Sequence, residues 1–427
     1  MRIALIRPRF AEGYLAPARM EPLALGILAA LTPPHHRVQV MDEQVEPLDL
    51  EQPLDLAALS VCTFSARRAY GIAAELRSRG VRVVMGGYHP SLVPDEAELH
   101  ADAVVVGDAE DVWPGLLQDA EQGRLQRRYQ GTGQPAMPVA PDRRVFSGKS
   151  YLPVRLVQFG RGCPRSCEFC SIRAFYRGSV RHRPLPDVLR ELEGARRVFF
   201  VDDNLLADRE AFRNLLQAIE PLGLRWSSQM DLAVADDPEL LDRMARSGCE
   251  SLTIGFESLS ETNLHQMGKP WNRASSFAAR LSRLRRASIL VYGTFLFGYD
   301  ADTPEVFAET LAFVLEHRLF LANFNPLQPF PGTPLYERLQ REDRLVFERW
   351  WLEPGYRWHQ ALIHPRGMDA EALTRGCRWA RRRFHSLPSL LRRLGSPAHW
   401  RRLPVFLAAN TVSWMDIRAK SRWEGRR

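Results

Sequence analysis

Hydrophobic positions along the first 130 residues fall into two alternating rhythms. Short β-branched runs at 3–6, 38–41, 56–61, 81–85 and 103–106 predict strands, and amphipathic stretches at 22–31, 66–79 and 110–121 predict helices between them. Strands separated by helices pair in parallel through crossovers, so residues 1–130 are expected to form an α/β domain with a doubly wound, flavodoxin-like parallel sheet. Ligands of such sheets sit beyond the carboxyl ends of the strands, which places Arg7-Pro8, Cys62-Thr63-Phe64-Ser65, Gly86-Gly87-Tyr88-His89-Pro90 and Gly107-Asp108-Ala109-Glu110 around one crevice. Between 131 and 150 the periodicity gives way to proline, glycine and arginine, and a linker is expected.

The alternation resumes over 151–340, with strands near 155–159, 198–201, 225–229, 251–255, 290–297 and 321–327. Asp237-Pro238-Glu239 and Thr303-Pro304-Glu305 each offer a capping residue followed by proline in the first helical turn. Six βα units result. The last segment, 341–427, opens on Trp350, Trp351, Tyr356, Trp358 and His359, which suit a substrate-facing wall or packing against the barrel; beyond Met368 it becomes helical and strongly basic.

Charge adds to this picture. The chain of 427 residues carries a net +8. Residues 375–427 hold 14 basic and 2 acidic side chains, a net of +12, so the rest sums to about −4. Arginines at 378, 381, 382, 383, 392, 393, 401 and 402 alternate with Trp379, Phe384, Leu390, Leu391, Leu394 and Trp400. That mixture suits peripheral contact with an anionic lipid surface or an acidic partner, and equally a solvated helix face. Nucleic acid is not expected, because no recognised RNA-binding module accompanies the arginines. No run of about 18 apolar residues exists, the N-terminal apolar stretch is too short for a secretory signal, and Cys62, Cys249 and Cys377 show no pairing pattern, so a cytoplasmic location is expected.

The densest chemistry is Gly160-Arg161-Gly162-Cys163-Pro164-Arg165-Ser166-Cys167-Glu168-Phe169-Cys170, with three cysteines spaced C-x3-C-x2-C. Three thiolates can hold three corners of an iron–sulfur cube and leave one iron open, whereas electron-transfer clusters usually take four. A structural zinc loop would need a fourth ligand, for which His182 is the nearby candidate. Three buried cysteines without any ligand are the other alternative.

With its aromatic residue before the last cysteine, this motif resembles the signature of the radical S-adenosylmethionine superfamily. The resemblance implies a 4Fe-4S cluster on Cys163, Cys167 and Cys170, whose open iron chelates S-adenosylmethionine; Phe169 lies beside the adenine, and reductive cleavage releases a 5′-deoxyadenosyl radical. It also implies that the six units form a partial (β/α)6 TIM-type barrel with the site at the strand carboxyl ends. Asp202, Asp203, Gln229 and Glu257 stand at those ends as candidate S-adenosylmethionine contacts, Glu257 within Ile254-Gly255-Phe256-Glu257-Ser258. Asp203 and Asn204 could instead cap the next helix, and Glu257 could instead pair with Lys269 or an arginine. Cys249 and Cys377 are expected as buried hydrophobes, with one cluster only.

The first domain is similar to the cobalamin-binding domain fused to many such enzymes, through Glu21-Pro22-Leu23-Ala24-Leu25-Gly26, Gly86-Gly87-Tyr88-His89 and Val106-Gly107-Asp108-Ala109-Glu110. Thr63, Ser65, Gly86, Gly87, His89 and Gly107 are the candidate cobalamin contacts this implies. The Asp-x-His-x-x-Gly motif of methyl-carrying cobalamin proteins is absent, and the loop after the first strand reads Arg9-Phe10-Ala11-Glu12-Gly13-Tyr14. A flavodoxin-like domain that only shapes the substrate cavity is the alternative. The resemblance implies cobalamin-dependent methylation of an unactivated carbon on a small-molecule or lipid-like substrate, with flavodoxin or ferredoxin as electron donor. Oxidative cyclisation or rearrangement without methyl transfer is the close alternative, and a non-catalytic cobalamin- or metal-binding regulator the distant one. A tRNA methylthiotransferase fits less well, because the first domain offers only Cys62 where that family carries three cluster cysteines.

Overall fold

The structure, a computed structural model, describes residues 1–10, 19–132 and 139–424, with side chains to residue 418. The loop positions 11–14 and the linker positions 133–138 lie outside the described residues.

The first layer contains β1 (Arg2–Arg7), α1 (Leu23–Leu31), β2 (Arg37–Asp42), β3 (Leu56–Ser60), α2 (Ala66–Ser78), β4 (Arg82–Gly86), α3 (Tyr88–Leu92), α4 (Pro94–Glu98), β5 (Ala103–Val106), α5 (Trp113–Glu121) and β6 (Arg128–Gln130). All six strands are parallel, in the order β2-β1-β3-β4-β5-β6. The chain reverses direction across the sheet between β1 and β3, the switch point of a doubly wound fold. Alternate residues feed two cores. Ile3, Leu5, Leu56, Ala58, Val84 and Val105 meet α1 and α5 on one face. Ala4, Ile6, Ala57, Leu59, Val83 and Met85 meet α2 on the other. The strand β6 was not expected, since three residues are too few to show a period. Phe146, from the predicted linker, packs into the core beside α1, and Asp142 N–H donates to Gly26 O at 2.9 Å.

The second layer runs β7 (Arg155–Val157), β8 (Gly160–Arg161), α6 (Ser171–Tyr176), β9 (Arg181–His182), α7 (Leu185–Leu192), β10 (Arg197–Phe200), α8 (Arg209–Ile219), β11 (Arg225–Gln229), α9 (Pro238–Arg246), β12 (Cys249–Glu257), α10 (Glu261–Gln266), α11 (Phe277–Arg286), β13 (Leu290–Phe297), α12 (Val306–Glu316), β14 (Leu321–Pro326) and α13 (Pro334–Arg341). β7 and β10–β14 form a parallel six-stranded sheet in sequence order, and its two ends, β7 and β14, do not pair with each other. This is the open barrel. Leu252, Ile254, Phe256, Phe295, Phe297 and Phe324 are buried in the core with the helices, while the alternate set, including Gln229, Thr253, Tyr292 and Asn325, is half-buried on the concave side. Asp237 caps α9 as expected, accepting from Leu240 N–H at 3.0 Å. Thr303 does not cap α12. That helix starts at Val306 after Glu305 without a side-chain cap, because 303–305 form a turn in which Val306 N–H donates to Thr303 O.

The remainder joins the layers. Trp350 and Trp351 are buried between the first domain's core and the segment that follows β14; Trp350 Nε1 donates to Pro329 O and Trp351 Nε1 to Glu96, each at 2.8 Å, and the Tyr336 ring of α13 lies beside Trp351. Then α14 (Ala370–Phe384) packs along β14, and α15 (Leu387–Leu394), α16 (Pro397–Arg401) and α17 (Leu403–Glu424) follow. Not every tail arginine is solvated: Arg393 is fully buried and donates to Phe320 O (2.8 Å), Phe384 O (3.2 Å) and Asn410 Oδ1 (2.9 Å) while lying 4.0 Å from the centre of the Phe384 ring. Cys249 and Cys377 are buried apolar-site residues. Among the described residues no helix is long and apolar enough to cross a membrane.

Candidate cofactor sites between the two sheets

The cysteine loop leaves β8 and enters α6 at Ser171. Gly162, with φ +85°, starts it; a Cβ there would run into the backbone oxygen of Ser179, so the loop can turn only on glycine. Cys163, Cys167 and Cys170 are all half-buried. Among the described residues the three sulfurs do not fall within 4.8 Å of one another, and His182 joins no such group. His182 instead lies against Phe159, with ring centroids 4.8 Å apart.

Backbone hydrogen bonds fix the loop. Asp202 is buried and accepts from Phe159 N–H at 3.0 Å and from Gly160 N–H; Asp203 accepts from Gly162 N–H at 2.7 Å. Burial pushes the Asp202 carboxyl up to about 7 against those donors, and burial also raises Asp203. Neither aspartate caps the next helix, a task done by Asp208, which accepts from Glu210 and Ala211 N–H. Asn204 Nδ2 lies 3.7 Å from Cys163 Sγ, and Asn204 Oδ1 accepts from Asp231 N–H at 3.2 Å.

The other side of the loop rests on the turn after α10. Glu168 N–H donates to Met267 O at 3.0 Å, and the Lys269 ammonium lies 3.0 Å from Glu257 Oε1 and 3.0 Å from Gly255 O. Glu257 therefore sits in an ion pair with Lys269, at φ +65° beside an irregularity in the β12–β13 register. Burial pushes the Cys167 thiol up to about 12, opposed chiefly by Lys269. Lys269 belongs to the site, although the sequence offered it only as an alternative partner for Glu257; a lysine in a chain whose cations are nearly all arginine was the further signal. Phe169 packs against the barrel core, and Gln229 stands on the concave face, half-buried.

The predicted crevice is real. A cavity of about 410 Å³ is lined by Arg7, Pro8, Cys62, Ser65, Gly86, Gly87, Tyr88 and Gly107–Glu110 from the strand ends, and by Leu23, Ile27, Ala58, Val84 and Trp113 beneath them. Leu23, Ile27, Ala58, Val84 and Trp113 make that part of its lining apolar, suited to an aromatic nucleotide tail, and the turn after β4 can pass Val61 this closely only at glycine, because Gly87 has φ +103° and a Cβ there would stand 2.8 Å from Val61 O. Thr63 and His89 are not among the lining residues. His89 is fully buried the other way, with Nε2 at 3.0 Å from the Tyr70 hydroxyl and 3.3 Å from Glu96.

The cavity is also walled by Gln158, Arg161, Phe175 and Tyr176 of the second layer. Arg161, two residues before Cys163, pairs with Asp108 at 3.1 Å and with Glu110, and Arg181 pairs with Asp108 at 2.6 Å. One arginine thus ties the cysteine loop to the turn after β5 of the first domain. Sequence reading passed over it because its partners lie about fifty residues away.

Comparisons with known proteins match both domains. The Radical SAM superfamily model matches residues 157–314, and the B12 binding domain model matches residues 16–117. The chain is similar to the bacteriochlorophyllide d C-12(1)-methyltransferase of Chlorobaculum tepidum, at 30% identity over 397 residues covering 89% of this chain and 86% of the relative. It is 29% identical to the bacteriochlorophyllide d C-8(2)-methyltransferase of the same organism, covering 77% and 78%. Its fold matches the radical S-adenosylmethionine methyltransferase TsrM from Kitasatospora setae, solved with cobalamin and a [4Fe-4S] cluster, at a TM-score of 0.65 and 18% identity over 80% of this chain and 78% of that one.

Proposed function

The chain belongs to the radical S-adenosylmethionine superfamily, in the branch that carries a B12 binding domain, and from that premise we propose that it methylates an unactivated carbon of a small hydrophobic substrate. The bound groups would supply the chemistry: a 4Fe-4S cluster that reductively splits S-adenosylmethionine, and a cobalamin that carries the methyl group.

The chain's own residues bind, aim and shield. Cys163, Cys167 and Cys170 would hold the cluster, and Phe169 would flank the adenine. Asp202 and Asp203 act on this reading as positioning residues, because their oxygens already accept backbone N–H groups of the cluster loop. The Lys269–Glu257 pair sets the charge beside Cys167. Ser65, Gly86, Gly87 and Gly107 would contact cobalamin in the cavity, whereas Thr63 and His89 would support its walls. The polar concave face of β11–β14 is proposed as the substrate side, and a one-electron donor of flavodoxin or ferredoxin type as the partner.

One observation carries this reading: residues from both layers line a single cavity, with Arg161 spanning it and the cysteine loop. Because the two relatives act on bacteriochlorophyllide d, a large, flat, apolar ring system is the substrate class to test first. Anaerobically reconstituted protein would be reduced with methyl-deuterated S-adenosylmethionine, hydroxocobalamin and a chlorin acceptor. Formation of 5′-deoxyadenosine, S-adenosylhomocysteine and a deuteromethylated chlorin is expected. A dehydrogenated or cyclised product without added label would overturn the methyl-transfer reading.

A further inference from the structure

The carboxy-terminal helices bear a surface that the cofactor sites do not use. Nine large hydrophobic side chains are exposed among the described residues, and seven of them lie between 379 and 415. Leu387, Leu391 and Trp400 are the most open of the seven, at 67%, 60% and 59%. Leu387 and Leu391 are one helical turn apart on α15, and on α14 exposed Trp379 shares a stripe with exposed Arg382 and Arg383. Arg392 and Arg401, next in sequence to Leu391 and Trp400, are exposed as well. Acidic residues are nearly absent, with only Asp416 and Glu424 in 375–427.

The arginines divide by task. Arg393 and Arg402 face inward: the first holds α15 to α17 through Asn410, and the second pairs with Glu250 at 3.1 Å and donates to Cys249 O at 3.0 Å. They make the helices a fixed unit on the barrel, so the outward apolar and cationic side chains are presented by a rigid scaffold. Apolar side chains flanked by cations and free of acids complement an anionic headgroup layer over hydrocarbon. A second copy of the chain fits poorly, because a twofold contact would press arginine against arginine.

We propose that this face docks on an anionic lipid bilayer, with Leu387, Leu391 and Trp400 entering the headgroup layer and Arg382, Arg383, Arg392 and Arg401 meeting phosphate. The contact is interfacial, as no described helix can span. Arg402 and Arg393 anchor this face at Cys249 and Phe320, the amino-terminal ends of β12 and β14, whereas the cysteine loop lies at the carboxyl end of the barrel. Docking therefore turns the cysteine loop away from the lipid, toward soluble donors.

The test is co-sedimentation of the full chain with phosphatidylcholine vesicles, with and without roughly 30 mol% phosphatidylglycerol. Recovery on anionic vesicles about tenfold above neutral ones, falling with added salt, is expected. The Leu387→Asp/Leu391→Asp/Trp400→Asp variant, whose changes are all at exposed positions, should fall to the neutral-vesicle level with its 5′-deoxyadenosine formation unchanged, and Leu222→Asp should bind as the parent does. Equal recovery from both vesicle types, or a triple variant that still sediments, would overturn the proposal. So would a triple variant that elutes at smaller size, since the face would then join copies of the chain, or stronger retention by single-stranded RNA than by vesicles.

Discussion

Replacing Gly268 by alanine should unseat the cysteine loop while leaving the fold in place. Gly268 has φ +71°, and a Cβ there would stand 2.8 Å from the backbone oxygen of Ser166, between Arg165 and Cys167. A left-handed backbone costs a non-glycine residue about 1–2 kcal/mol. The contact is the larger problem, because relief to an ordinary 3.4 Å requires the Ser166–Cys167 peptide to move by roughly 0.6 Å, beyond the ~0.5 Å over which a preorganised site keeps its function. Gly80 is the control: its φ is +77° and a Cβ would meet nothing within 4 Å, so alanine there carries the conformational cost alone. Both variants would be reconstituted anaerobically and analysed for iron, sulfide and the electron paramagnetic resonance of the reduced cluster, alongside thermal melts. Gly80→Ala should load as the parent does. Gly268→Ala should lose more than half its iron with a melting point lower by only a few degrees, about what 1–2 kcal/mol produces in a domain of this size. Full loading with an unchanged resonance in Gly268→Ala would refute the argument that the turn after α10 sets the loop.

Three further outcomes follow from the same contacts. Arg161→Gln removes the tie to Asp108 and Glu110, so retained cobalamin after desalting should fall several-fold while iron content holds; equal losses of both would make Arg161 a general folding residue. Lys269→Met leaves the Glu257 carboxylate buried without its cation and should destabilise by roughly 3–5 kcal/mol in denaturant titration, whereas adding Glu257→Gln should recover most of that loss; no recovery would mean the pair is not the stabilising unit. His399 is buried, and burial holds its imidazole down at about 4 against an ordinary 6.5. The unfolded chain thus binds the extra proton between those values, so stability is fully present above about 6.5, declines as pH falls through the window and levels off below about 4, by ~3 kcal/mol at most. Protection factors over 387–410, in which exchange is corrected for its intrinsic pH dependence, should be lower at pH 5 than at pH 7.5 in the parent and change far less in His399→Gln.

Local patterns already determined a good deal. Two alternating α/β layers, their parallel strands and the crevice at Gly86-Gly87 and Gly107 were legible because backbone periodicity and glycine placement are short-range properties. The three-cysteine loop was equally plain, since its spacing lies within eight residues. What only the tertiary structure decided are pairings across long separations. His89 turned from the cavity toward Tyr70 and Glu96, Asp202 and Asp203 were engaged by loop N–H groups, and Glu257 settled on Lys269 among the cations the sequence had offered it. Trp350 and Trp351 closed the first domain, and Arg393 became a buried strut. A side chain's direction depends on which partner the fold brings within about 3 Å, and hydrophobic period and residue type do not encode that partner.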